Sequence, residues 1–410
     1  MRHGRLRPSK PMSTLLGLLG IAVCVLLVSG ASVVAIALAS VTGSIKPTID
    51  LDPIAGPSGT PSALPIPEIG AIPGGVNLLV VGSDSGQGDP QYGDRGEHLG
   101  DVTMLMHIAN DHSNATVVSF PRDLFVRIPE CDASEAEDAP GSDGGTDKLN
   151  TALSYGGLAC TARTISQLTG LEIPYAATIE FNGVVAMSNA VGGVPVCVAE
   201  KIEDEYTGLF LDPGMHTLQG IDALQFLRTR HGIATGSDTA RISNQQVFLA
   251  SLARTIKSND TLTNPLKLYG LAKAAADNMT LSTSLNNITT MVSIAKALAD
   301  IPLDHVSFVQ YPSYAADGGL RPREDDADVL MQALAADQPI IPGATGEGSQ
   351  ATDGPSATPE TPAAPAPSEP APTEPGQTAA PSEPVQLPES ITGQTAAEQT
   401  CSVGRTLDDQ

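Results

Sequence analysis

Arg228, Arg230 and Arg241 crowd one stretch, LQGIDALQFLRTRHGIATGSDTARISNQQVFLASL at residues 218–252, amid Gly232, Gly236, Ser237 and Asp238. In a chain of net charge −24, such a cluster is a local exception. Ile221, Leu224 and Leu227 recur at helical spacing before the loop, and Ile242, Leu249, Leu252 and Ile256 after it. On the second helix Arg241, Asn244 and Gln245 share one face near the first turn. Free N–H groups and the dipole there already favour an anion. Arg228 and Arg230, two apart, would diverge on a regular helix. They reach one ligand only if the chain unwinds, which His231-Gly232 predicts. The plainer alternative is a solvated, charged helix–loop–helix, but three arginines bracketing a Gly/Ser loop favour an anion site.

Two carboxylates fit beside it. Asp84 ends the apolar run Val76–Val81 and its Gly82-Ser83 turn, and Asp101 opens Val102–Ile108. If these strands are antiparallel neighbours, Asp84 and Asp101 sit together and repel unless a cation or a shared proton relieves them. Magnesium is the expected cation, since it takes one or two carboxylates plus phosphate oxygens and water. Two turn-capping aspartates are the alternative. Arg122 follows a third strand, Ala115–Phe120, and Pro121, with Asp123 placed to orient it.

The elements that must position these groups alternate. Strands are predicted at 76–81, 102–108, 115–120, 175–181, 194–198 and 306–309. Helices are predicted at 148–169 (interrupted at Gly156-Gly157), 184–191, 265–276, 285–299 and 327–334, besides the two flanking the arginine loop. The fold class is α/β, a sheet covered by helices on both faces.

Composition sets the surroundings. An acidic core repels a phosphate backbone, so no nucleic-acid partner is expected. Residues 1–12 form a basic tail, with Arg2, Arg5, Arg7 and Lys10. Residues 13–41 then read as a transmembrane anchor, with no charge from Pro11 to Ile45. Ala37-Leu38-Ala39 would suit a cleaved signal peptide, but the apolar run is longer than such signals carry. The expected localisation is a single-pass plasma-membrane protein, N-terminus cytoplasmic and the rest extracellular. A Pro/Gly/Ser-rich spacer covers 42–74, the folded core 75–336, and a disordered acidic Pro/Ala-rich tail 337–410. Cys24 falls in the membrane. Cys131 with Cys160 is the expected disulfide, leaving Cys197 buried and free, although spacing alone leaves other pairings open.

The words NLLVVGSD (77–84), DVTMLMHI (101–108), VVSFPRDLFVRIPEC (117–131), KLNTALSYGGLACTARTISQLTG (148–170) and FNGVVAMSNAVGGVPVCV (181–198), followed by the arginine stretch, occur in one order. This series resembles the LytR-CpsA-Psr family of membrane-anchored cell-wall enzymes, in its actinobacterial form. The resemblance implies an α/β/α sandwich with a central mixed sheet and a deep apolar pocket for a polyprenyl chain. It implies Mg2+-dependent transfer of a glycopolymer from a polyprenyl-pyrophosphate carrier to a peptidoglycan acceptor, leaving a phosphodiester. By the same resemblance Asp84 and Asp101 would ligate the metal. Arg122, Arg228, Arg230 and Arg241 would hold the pyrophosphate, with Gln245 assisting, and Asp238 would act as a base or orienting group.

Two positions depart from the family pattern. The usual arginine two residues before the second aspartate is Leu99, with Arg95 and His98 as candidate substitutes. The usual arginine three residues after Arg241 is Asn244. Loss of one such donor costs roughly 10²-fold or more in rate. A polyprenyl-phosphate-binding scaffold that turns its ligand over slowly or not at all is therefore the alternative to an active transferase.

Overall fold

The structure, a computed structural model, describes residues 48–51, 72–84, 98–258, 271, 273–275, 277–352 and 383–410. The predicted anchor at 13–41, the basic tail, most of the spacer and of the 265–276 helix, and Arg95 lie outside these residues. Among the described residues no helix is long and apolar enough to cross a membrane.

A seven-stranded sheet is built from β1 (Val76–Ser83), β2 (Gly100–Ile108), β3 (Ala115–Phe120), β4 (Tyr175–Ile179), β5 (Met279–Leu281), β6 (Val306–Gln310) and β7 (Gly393–Thr395). Its order is β5-β4-β1-β2-β3-β6-β7. The sheet is mixed: β1–β4 and β3–β6 pair parallel, β1–β2 and β2–β3 antiparallel. Helices among the described residues include α1 (Thr151–Thr169), α2 (Phe181–Val191), α3 (Ile221–Arg228), α4 (Asp238–Ser258), α5 (Ile288–Asp300) and α6 (Glu324–Ala335).

Successive strand residues point to opposite faces, so each face has its own core. Leu79, Val81, Leu105 and Val118 pack with Leu158 and Ile165 of α1 and Leu330 of α6. On the other face Leu78, Met106 and Val117 meet Ala250 of α4 and Ile294 and Ala297 of α5. This is an α/β/α arrangement. The faces differ in how tightly they close. Leu79, Leu105 and Val118 are fully buried, whereas Leu78, Val80, Met104, Met106 and Val117 are only half-buried. Register puts Leu78 opposite Met106 and Val80 opposite Met104, so these side chains form one continuous apolar strip on central strands.

Helix α1 breaks where the sequence predicts, with Gly157 at φ 66°. Glu137, from the acidic 131–147 segment, caps the restart by accepting the Leu158 N–H at 3.0 Å. A disulfide joins Cys131 to Cys160, Cα atoms 5.5 Å apart, and ties that segment to α1.

Two expectations require correction. The chain beyond residue 336 is not all disordered tail: β7 joins the main sheet, and Thr400–Ser402 adds to a second sheet beside Val194–Val198. Cys197 is not free. Parallel pairing sets Cys401 opposite Cys197, and the two form a disulfide with Cα atoms 4.4 Å apart. The domain boundary drawn at residue 336 therefore cuts through folded structure.

Candidate active site

Topology gathers the chemistry at one sheet edge. Gly82 of β1 lies opposite Ile179 at the end of β4, Ser83 opposite Gly100 at the start of β2, and Phe120 at the end of β3 opposite Thr103. Asp84, Asp101 and Arg122 leave the sheet there. The β1–β2 register slips between Gly82, opposite Val102, and Ser83, opposite Gly100. Asp101 is thus the extra residue of a β-bulge, a device that re-aims a side chain and frees backbone groups from the ladder. Both consequences are visible. The Asp101 carboxylate accepts from Arg122 Nη1 at 2.6 Å, and its carbonyl accepts from Arg241 Nη2 at 2.9 Å.

Asp238, the first residue of α4, closes the cluster. Its Oδ1 accepts from Arg241 Nη2 at 2.6 Å and its Oδ2 from the Arg122 backbone N–H at 3.2 Å. Burial works to lower the Arg122 pKa, but Asp101, Asp238 and Asp123 raise it above its ordinary value, so the guanidinium is a fixed cation. Burial pushes Asp123 upward, but Lys148, Arg122 and Arg230 outweigh it and leave this carboxyl below its usual range. The Nε–H groups of Arg122 and Arg241 are buried and make no hydrogen bond among the described residues, although that of Arg122 is ion-paired at longer range with Asp123 Oδ2 at 3.6 Å and Asp238 Oδ1 at 3.7 Å. Buried donors are rarely left this way, and an anion's oxygens would satisfy both.

Helix α3 ends at Arg228, so the chain unwinds between Arg228 and Arg230 as expected, with Thr229 turning to extended backbone. Arg228 lies over the Phe181 ring, 4.2 Å from its centroid, at the start of α2 just after β4. Arg230 spans its own loop, Nε donating to the Gly236 carbonyl at 3.0 Å. The four arginines thus border the edge from several elements.

Asp84 is buried. Its Oδ1 accepts from the Leu99 N–H at 2.9 Å, and its own N–H donates to the Leu99 carbonyl at 3.1 Å. Leu99 therefore positions Asp84 through its backbone. His98 is exposed. No group of three or more His, Cys, Asp or Glu side chains arranged to hold a metal occurs among the described residues. Asp84 and Asp101 at adjacent strand ends still fit a cation that takes one or two carboxylates and completes its shell with phosphate oxygens and water.

Gln245 does not face the anion edge as expected. It is buried, and its Nε2 donates to the Leu227 carbonyl at 3.0 Å, capping α3. Asn244, fully buried, does the same to Phe226 at 2.8 Å and accepts from Ser402 Oγ. The C-terminal segment thereby braces the arginine loop. Ala234 N–H donates to Val403 O at 3.1 Å, and Arg405 N–H to Gly232 O at 2.8 Å.

Sequence reasoning missed Asp204. Fully buried, its Oδ1 accepts from the N–H groups of Tyr206 and Thr207, and its Oδ2 from Thr229 Oγ1 and the N–H groups of Arg230 and Gly232. An aspartate between Glu203 and Glu205 in an acidic chain gives no signal. Cys401 did give one. With Cys24 assigned to the membrane, the cysteines left over are even in number, which favours complete pairing.

The LytR_cpsA_psr family model matches residues 67–331, well over half of the chain. The chain belongs to that family. It is 32% identical over 273 residues to the cell wall biosynthesis protein LcpA of Corynebacterium glutamicum, covering 60% of this chain and 52% of that one. It is 26% identical over 231 residues to TagT of Bacillus subtilis, a polyisoprenyl-teichoic acid–peptidoglycan teichoic acid transferase, covering 52% of this chain and 66% of that one. The chain spans about half the length of its Corynebacterium relative. Its fold is that of the LytR-Csp2A-Psr enzyme from Actinomyces oris, with TM-score 0.52 at 20% identity over 71% of this chain and 96% of that one. The family of cell-wall proteins expected from the sequence motifs, in its actinobacterial form, is the family found.

Proposed function

We propose that this chain transfers a glycopolymer from a polyprenyl-pyrophosphate carrier to peptidoglycan, forming a phosphodiester. The observation that carries the reading is a juxtaposition. A half-buried apolar strip (Leu78, Val80, Met104, Met106, Val117) runs along β1 to β3 towards the edge where Arg122 and Arg241 hold buried Nε–H donors that make no hydrogen bond. An amphiphile with an isoprenoid chain and a diphosphate head matches both parts. TagT is named for a reaction of this kind.

Phosphoryl transfer needs positioning and charge neutralisation more than covalent help. Arg122 and Arg241, fixed by Asp101 and Asp238, would hold the diphosphate and stabilise the charge that develops on its leaving oxygen. Arg228 and Arg230 would close the site from the α3 side. Asp238, already committed to two donors, orients the arginines. Asp84 and Asp101 would hold Mg2+, which when bound supplies further neutralisation of phosphate charge. Without an acceptor, water would take its place and give pyrophosphatase side activity. The apolar segment at 13–41 would anchor the N-terminus in the plasma membrane, with the catalytic domain on the extracellular side.

Asn244 favours a second reading. It stands where the family has an arginine, and it is spent on Phe226 and Ser402. With Leu99 also replacing a cation, the chain would hold the carrier without turning it over. The full chain, incubated with a polyprenyl-pyrophosphate sugar and Mg2+, separates the two. Cleavage that disappears in Arg122→Ala supports the transferase. Tight binding without cleavage leaves the scaffold.

A further inference from the structure

Beside the arginine edge, a cavity of about 320 Å³ is lined by Arg127, Gln167, Tyr311, Glu324, Asp328 and Met331. Its size lies at the low end of small-ligand pockets. Glu324 and Asp328 are four apart on α6 and so share a helix face. Arg127 comes from the strand Phe125–Ile128, and Tyr311 follows β6. The Tyr311 phenol is pushed up to about 12 by burial and by the charges of Asp328 and Glu324, so it stays protonated and able to donate.

The charge pattern is selective. One guanidinium shares the cavity with two carboxylates, an amide and a phenol. A phosphate-bearing polymer would be repelled by Glu324 and Asp328, and a simple cation would leave Arg127 without a partner. A group with an ammonium and a carboxylate close together satisfies both sides.

The cavity also adjoins the proposed reaction centre. Tyr311 stacks on Phe120, ring centroids 5.0 Å apart, and Phe120 is two residues before Arg122. The Leu320 N–H donates to the Asp123 carbonyl at 2.9 Å. From Arg127 the outward strand face continues to Phe125, which carries Arg321 over its ring at 4.1 Å. Phe125 is the cross-strand partner of Lys148, whose Nζ lies 2.9 Å from Asp123 Oδ1. Aromatic and cationic groups thus line the way from the cavity to the arginines.

We infer that this cavity is the subsite for a zwitterionic amino-acid group on the peptide stem of the glycan acceptor. The inference rests on the transferase reading and assigns the acceptor's place in it. A muramyl peptide whose stem ends in a diamino acid carries the required ammonium and carboxylate.

The test uses the full chain, a polyprenyl-pyrophosphate sugar donor and two soluble muramyl-peptide acceptors, one with the free side-chain ammonium and one N-acetylated. Charge-assisted hydrogen bonds of this kind correspond to about tenfold or more in affinity. Arg127→Ala and Asp328→Asn should each raise the acceptor KM by about that factor, with kcat and donor cleavage nearly unchanged, and Arg127→Lys should recover part of the loss. Acetylation should weaken the wild type similarly, yet add little to Asp328→Asn. Transfer indifferent to Arg127→Ala or to acetylation overturns the subsite. If the wild type cleaves no donor, the transferase reading fails separately, and titration of the muramyl peptide alone decides. Saturable binding lost in Arg127→Ala supports the subsite, and absence of saturable binding overturns it.

Discussion

Asp204→Asn keeps the size of the side chain and removes one acceptor from a carboxylate that has none to spare. Oδ1 faces the N–H groups of Tyr206 and Thr207, and Oδ2 faces the Thr229 hydroxyl and the N–H groups of Arg230 and Gly232. Either amide orientation points an NH2 at donors. The less costly orientation places it towards Tyr206 and Thr207, where water is nearer, since Thr229 and Gly232 are buried. Each donor left unpaired in the interior costs about 1–3 kcal/mol, so the substitution should destabilise by about 2–4 kcal/mol. For a domain of this size that is a fall in Tm of about 3–7 °C, read by calorimetry at neutral pH. Burial works to raise the Asp204 pKa, but its hydrogen bonds hold it below the ordinary value. The unfolded chain therefore takes up the proton first as pH falls. Its stabilisation is complete above the unfolded-state value near 4, declines below it, and is lost as pH passes the folded-state value. The gap between wild type and Asp204→Asn should narrow in acid. A variant within about 1 °C of wild type at pH 7, or a gap that widens in acid, would refute this reasoning.

Arg122→Lys keeps the charge and loses the planar fork that joins Asp101 to the site, so turnover should fall about 10²-fold, nearly as far as Arg122→Ala. Wild-type turnover in the lysine variant would remove Arg122 from the mechanism. Cys197→Ser with Cys401→Ser opens a loop with a sequence separation of 204 and should cost about 2–5 kcal/mol. It should also raise the KM for the carrier, since the released segment braces residues 232–234. An unchanged Tm would show that the C-terminal strand docks without it. Gly157→Ala forces a side chain onto a residue at φ 66° and against the Glu137 carboxylate. A loss of about 1–3 kcal/mol is expected by chemical denaturation, and no loss would mean that the helix break is not fixed by Gly157.

The elements that place the site were legible because its residues sit at ends of strongly patterned runs. NLLVVGSD and DVTMLMHI read as strands, and their aspartates reach one edge in the structure. The bulge at Asp101 was not legible, since a register slip depends on pairing partners rather than on local sequence. Gln245 and Asn244 were read by helix face alone. Their amides turn instead to the carbonyls that α3 leaves unpaired at its C-terminus, an acceptor set visible only once α3 packs on α4. The Pro- and Ala-rich composition from residue 337 onward hid Thr400–Ser402, a three-residue strand with little hydrophobicity of its own. Pairing with Val194–Val198 and the Cys197–Cys401 bond hold it in place.

The central claim is tested most directly by a structure of the full chain with a polyprenyl pyrophosphate bound. The account predicts phosphate oxygens within hydrogen-bond distance of the Nε atoms of Arg122 and Arg241, with the isoprenoid chain along Leu78, Val80, Met104 and Met106. A diphosphate bound elsewhere, or a chain lying on the Leu79–Leu105 face or in solvent, would contradict it.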